Sequence, residues 1–226
     1  MKKIVMVLIL LSLISCNKNK ELPNNENEAV QQVLNFYNGE CKKSKGATFK
    51  NGKTKSYFEL EISKSTLLNS DLKNLKSHSA NIAYLFYSSL MNAEAYDDIK
   101  IKINLSQGNS EQFSYSNEEL TEIKKLQPFI NKLIEQVKIK KYDELAKSFE
   151  KTVNVNPENL EELFSKVEKE YGIIKKSQFQ GFEFKKANEF GNVIVIKEAF
   201  IFERLAISMN IILKRDNSKI IALEFE

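Results

Sequence analysis

From Asn27 onward the chain alternates between two hydrophobic periods, and each change of period marks a new element. Val30, Val33, Leu34 and Tyr37 recur at three- and four-residue spacing, which puts them on one face of a helix that Gly39 ends. The basic segment that follows carries little pattern. Asn51-Gly52 is a tight-turn dipeptide, and it predicts a hairpin between Ala47-Thr48-Phe49 and a strand from Thr54 to Ser63. In that strand Phe58, Leu60 and Ile62 point one way while Tyr57, Glu59 and Glu61 point the other. The spacing next predicts a helix over 77–91, with Ile82, Ala83, Leu85, Phe86 and Leu90 inward. Ile99, Ile101, Ile103 and Leu105 then alternate with Lys100, Lys102 and Asn104, the clearest strand in the chain. Gln107-Gly108-Asn109-Ser110 turns it back toward Phe113 and Tyr115. Residues 27–115 therefore read as a small N-terminal α+β unit.

Residues 116–226 repeat the logic in a different order. Ser116 and Glu119 form a capping-box signature for a helix bearing Leu120, Ile123 and Leu126, which Pro128 is expected to bend or restart. Phe129, Ile130, Leu133, Ile134 and Val137 continue the stripe. A short helix follows Asp143, and Asn156-Pro157 opens a third that Gly172 closes. From Gln178 the period changes to two and stays there, through Val193–Phe202, Leu205–Leu213 and Ile220–Phe225. Three helices followed by a meander of about four strands predict a curved antiparallel sheet wrapped around helices, an α+β roll. This order, with Tyr142-Asp143-Glu144-Leu145 starting the short helix and Lys219-Ile220-Ile221-Ala222-Leu223-Glu224-Phe225 ending the ladder, resembles the nuclear transport factor 2-like (cystatin-like roll) domains of bacterial secreted proteins and lipoproteins. The resemblance implies a cone whose sheet face lines an apolar pocket. Some members use that pocket for small-molecule chemistry, with an acid, a histidine or a tyrosine deep inside, and others only bind. No histidine follows His78. Phe179, Phe182, Phe184, Phe200 and Phe202 are candidates for pocket lining, in competition with plain core.

The first residues carry an address. Met1-Lys2-Lys3, an apolar run from Ile4 to Ile14 and then Ser15-Cys16 have the layout of a secretory signal peptide over 1–15. The run is too short to cross a bilayer, which takes roughly 20 apolar residues. Leu13-Ile14-Ser15-Cys16 resembles the bacterial lipobox. That resemblance implies cleavage before Cys16, a thioether-linked diacylglycerol on its sulphur and acylation of the new amino terminus. Each buried methylene contributes about 0.8 kcal/mol, so two or three chains on one residue hold a protein to a membrane. Residues 16–26, polar and rich in asparagine, read as a flexible tether. Asn17 is not the aspartate that retains lipoproteins in the inner membrane of enteric bacteria, and Lys18-Asn19-Lys20 lacks the acidic run of some surface-exported lipoproteins. The expected location is therefore the outer membrane of a Gram-negative envelope, facing the periplasm.

Charge and chemistry then narrow the rest. Of the 34 basic residues the leader removes Lys2 and Lys3, leaving 32 against 30 acidic, a balance that does not favour nucleic acid. Beyond Cys16 the only thiol is Cys41, which reads as a small buried hydrophobe, a surface thiol or half of an intermolecular bridge. His78, between Ser77 and Ser79, is expected to cap a helix or lie at the surface. No metal-ligand spacing, phosphate-cradling glycine loop or Gly-x-Ser-x-Gly elbow occurs, and no cofactor is implied. Asp97-Asp98, Glu118-Glu119 and Glu161-Glu162 are sequence neighbours that point to different sides, so they read as solvated charge. The expected function is a non-enzymatic, lipid-anchored envelope lipoprotein that meets the membrane through Cys16 and binds a protein or a small apolar ligand. The alternatives are a tethered hydrolase or isomerase with its site in the C-terminal cone, and a structural spacer or assembly factor of envelope complexes.

Overall fold

The computed structural model describes residues 25–50 and 52–226; the leader, Cys16, the tether up to Asn24 and Asn51 of the hairpin turn lie outside the described residues. The chain is an α+β protein with two four-stranded sheets.

Helix α1 (Glu26–Tyr37) buries Ala29, Val33 and Tyr37. The patternless basic segment is a strand, β1 (Glu40–Lys50), paired antiparallel along its length with β2 (Lys53–Ser63) across the two-residue turn. It is the edge of its sheet and almost wholly exposed, so neither face supplies a hydrophobic period. β2 then runs parallel to β3 (Asp98–Asn104), which requires a crossover; α2 (Thr66–Ser70) and α3 (Leu75–Ser89) provide it. α3 begins two residues before the predicted start, and Met91, predicted within it, is exposed beyond its end. β4 (Ser110–Ser116) closes the sheet antiparallel to β3, in the order β1-β2-β3-β4. Phe58, Leu60, Ile62, Ile99, Ile101 and Ile103 are fully buried on the helix side, where Phe58 stacks on Phe86 at 4.6 Å. The opposite face is a polar ladder in which Asn104 donates to Glu61 at 2.7 Å and Gln112 to Glu59 at 3.0 Å.

Helix α4 (Asn117–Lys138) starts from the predicted capping box: Ser116 Oγ accepts from the Glu119 amide, and Glu119 accepts from the Ser116 amide. It runs through Pro128 as one helix, so the restart that was one of the two expected outcomes does not occur. One missing backbone bond costs about 3 kcal/mol in an isolated helix. Here Leu126, Ile130, Leu133, Ile134 and Val137 are buried on both sides of the proline and hold the helix together. The short α5 (Tyr142–Ala146) and α6 (Pro157–Tyr171), whose cap Asn156 accepts from Asn159, complete the helical layer. A pure antiparallel meander follows: β5 (Ile174–Ala187), β6 (Gly191–Phe202), β7 (Ala206–Lys214) and β8 (Ile220–Phe225). Bulges at Phe179/Gly181 and Ile212/Leu213 bend it. Its inner face, with Ile194, Ile196, Phe200, Met209, Ile211 and Leu213, is buried on the helix side. There Phe164 of α6 meets Phe225 at 5.8 Å and Tyr171 meets Phe202 at 6.1 Å. One continuous hydrophobic core runs through both sheets and their helices.

Candidate functional site

The two halves meet where the start of α3 lies against the edge strand β5 and the outer face of the second sheet. Gly181 makes the approach possible: its φ is +136°, and a Cβ there would run into the Ser77 carbonyl. Ser77 Oγ donates to the Gln180 carbonyl at 3.0 Å. From β6, Lys197 donates to Asn74 Oδ1 at 3.3 Å and pairs with Glu226 at 2.6 Å, and Asn210 donates to the other oxygen of Glu226 at 2.7 Å.

Behind this junction a polar chain runs from the half-buried Asn74 and Asp71 to the buried His78 and Tyr37. Asn74 Nδ2 donates to both carboxylate oxygens of Asp71, and Asp71 Oδ2 lies 3.0 Å from His78 Nε2. A carboxylate only accepts, so Nε2 carries a proton, and the Tyr37 hydroxyl lies 3.3 Å from both Nδ1 and the His78 carbonyl, to either of which it can donate. Asn81 Nδ2 donates to that hydroxyl at 2.9 Å, while its own Oδ1 is buried without a partner among the described residues. Burial pulls the Asp71 carboxyl up, but the bonds from Asn74 and His78 outweigh it and hold it below the usual aspartate range. His78 is therefore neither a cap nor a surface group. It is 5% exposed in the second turn of α3, and it has the orienting acid that the sequence does not show. The constellation looks like an acid–base–hydroxyl triad, yet burial raises the Tyr37 phenol and closes it to solvent, so no nucleophile is presented.

Two clefts open at the junction, and they share Lys76, Phe182 and Glu183. The larger, of 270 Å³, is ringed by Lys73, Lys185, Lys197, Asn210 and Glu226 in addition to those three. The second, of 210 Å³, adds Phe113, Tyr115 and Phe184. Glu183 takes both Lys76 and Lys185, the latter at 2.8 Å. Burial acts to raise Glu183, and its lysine bonds override this and leave it below its ordinary value. Glu226 is lowered by its bonds from Lys197 and Asn210. Both carboxylates are thus ionised at neutral pH.

On the opposite, inner face lies Glu198, 2% exposed, in line with Ile196 and Phe200 and paired across the strands with Phe179 and Met209. It has no hydrogen bond or ion pair among the described residues, and burial alone pushes its carboxyl up to about 8. The sequence reading missed it. The signal was present: positions 194, 196, 200 and 202 are apolar and 198 is the one break in that row. Tyr84 of α3 contacts Phe179 at 4.9 Å, and its phenol is raised first by burial and then by Glu198.

Of the aromatics expected to line a cone, Phe182, Phe200 and Phe202 are buried and Phe179 and Phe184 partly so; Phe182 and Phe184 also wall the clefts. Cys41 is a free, half-buried thiol on β1, pushed up to about 11 chiefly by burial and so poorly reactive. The predicted lipid site Cys16 lies outside the described residues. Among the described residues no His/Cys/Asp/Glu group is arranged to hold a metal, and no helix is long and apolar enough to cross a membrane. Fold and junction together define an α+β protein of two packed sheets with a charged cleft where they meet. Compared with known proteins, the chain matches no family model, no curated protein and no solved structure.

Proposed function

We propose that this is a non-enzymatic binding protein of the bacterial envelope, held to the periplasmic face of the outer membrane by lipid on Cys16, with its ligand in the junction clefts. The tether rests on Leu13-Ile14-Ser15-Cys16 and the leader before it. The observation that carries the binding reading is the pair of adjoining clefts at the meeting of the two sheets, where charged and aromatic walls converge. Junctions of this kind are preferred ligand sites. The order of α4, α5, α6 and the β5–β8 meander supports the nuclear transport factor 2-like reading of residues 116–226. The site itself lies outside the apolar cone which that resemblance implies.

The test is mass spectrometry on protein extracted from membranes of its native host. Denatured, it reads a chain beginning at Cys16 with the mass of a diacylglycerol and an acyl group. Under native conditions it also reads a small-molecule adduct that denaturation removes. An unmodified thiol or a retained leader contradicts the tether, and a bare native mass contradicts the binding reading.

Glu198 favours a second reading, a tethered hydrolase or isomerase. A carboxylic acid kept protonated at neutral pH in an apolar setting is suited to general-acid work. Turnover by the wild type that Glu198→Gln abolishes without unfolding would establish it over the first.

A further inference from the structure

The two clefts differ in chemistry and share a wall. The larger presents four lysines, Lys73, Lys76, Lys185 and Lys197, against two carboxylates, Glu183 and Glu226, so two positive charges are left over. Lys73 makes no hydrogen bond and no ion pair within 4 Å among the described residues, although its charge helps to lower Asp71 and Glu226. The smaller cleft is walled by Phe113, Phe184, Phe182 and Tyr115, with Ser114 and the cap carboxylate Glu119 at its edge. The Lys76–Glu183 pair stands between them and belongs to both.

We propose that the two clefts form one site for a small soluble amphiphilic anion, with a phosphate monoester or similarly doubly charged head beside Lys73 and Lys185 and an aromatic body against Phe113 and Phe184. The inference rests on reading the junction as a ligand site and adds the class of ligand. A head with two negative charges matches the surplus of two positive ones in the larger cleft, where it sits away from Glu119 of the smaller one, and a cleft with protein walls focuses that field more than an open surface does. The carboxylates of Glu183 and Glu226 repel the head, which places it toward Lys73, the cleft lysine that neither of them bonds directly, with Lys185 completing its pair to Glu183 alongside. Phe113 and Phe184 are only partly buried, so an aromatic body gains apolar contact there without displacing core.

Isothermal titration of the mature chain at low salt with inorganic phosphate, phenyl phosphate and benzyl alcohol separates head from body. Phenyl phosphate is expected to bind at least about tenfold more tightly than phosphate, with benzyl alcohol weakest. Lys73→Gln with Lys185→Gln weakens both anions about tenfold, and Phe113→Ala removes only the advantage of phenyl phosphate, each variant keeping the wild-type melting temperature within a few degrees. Equal affinity for the two anions, or affinity indifferent to the lysine pair, overturns the proposal and reduces the effect to adventitious ion binding. Benzyl alcohol binding while both anions fail overturns the anionic class and leaves the junction reading standing. Retention on vesicles containing phosphatidic acid without binding of phenyl phosphate would point to a membrane headgroup and overturn the soluble ligand. Silence from all three probes overturns the proposal, and the native-mass adduct then decides the junction reading separately.

Discussion

The two faces of the second sheet hold their ionisable groups in opposite ways. On the outer face, under the start of α3, Lys197 and Glu226 are paired, bonded to Asn74 and Asn210, and open to a cleft. On the inner face, one residue further along the same strand, Glu198 sits among Ile196, Phe200 and Met209 with no partner among the described residues. The outer carboxylate is stabilised ionised and the inner one protonated. A β-strand sends successive side chains to opposite sides, so Lys197 and Glu198 read alike as charged residues until the partners on each face are known. The contrast teaches that position relative to a cleft, and not residue type, separates a polar group that serves binding from one that burdens the core.

The largest expected effect comes from removing the contact that forms the outer-face cleft. Gly181→Ala must adopt a φ of +136° and push against the Ser77 backbone, and it should cost about 3 kcal/mol or more and open the junction. Denaturant unfolding checks this, and an unchanged midpoint would show that α3 and β5 are not tightly seated. Next, Glu198→Met makes the inner face uniformly apolar. A carboxyl whose folded pKa lies above its ordinary value has its full stabilising effect below that ordinary value, near 4.5, and loses it as pH rises toward 8. The variant should therefore gain about 3 kcal/mol over wild type at pH 7, with the gain shrinking to near zero at pH 4. A gain that does not depend on pH would show that Glu198 ionises freely in the fold.

A smaller effect follows from Lys197→Met, which strips Asn74 and Glu226 of a donor at once. The expected cost is about 1 kcal/mol at pH 7. Because the Glu226 carboxyl is lowered, its share is present above the ordinary glutamate pKa and disappears as pH falls through its folded one, so the cost should be less in acid. Thermal melts at the two pH values read it. Smallest is Lys73→Gln, within about 0.5 kcal/mol, because an exposed unpaired lysine contributes to the cleft's field and not to the fold. A large loss of stability there would mean that Lys73 is structural.

Much of the scaffold is legible in local pattern. Ile99, Ile101 and Ile103 alternate as written and are buried as written, and Ser116 and Glu119 form the cap their spacing implies. Local pattern fails where long-range packing decides. β1 is an edge strand with no buried face to give it a period, and the stripe on α4 carries Pro128 through a helix it would otherwise break. The same holds for the candidate site. Asp71 and His78 are seven residues apart, but the Tyr37 hydroxyl that completes their chain comes from another helix. The clefts join residues 73–77 and 113–119 to 182–226, and no spacing in the chain encodes that meeting. Glu198 was readable as a break in an apolar row, although only the packing around it shows that none of the described residues pairs with it.

The most direct test of the account is chemical-shift mapping on isotope-labelled mature protein titrated with phenyl phosphate. The account predicts changes centred on Lys73, Lys185, Phe113 and Phe184 at the clefts, with Ile196, Phe200 and Met209 unmoved. Changes centred instead on Phe200 and Met209, around Glu198, would place the ligand inside the sheet and contradict it.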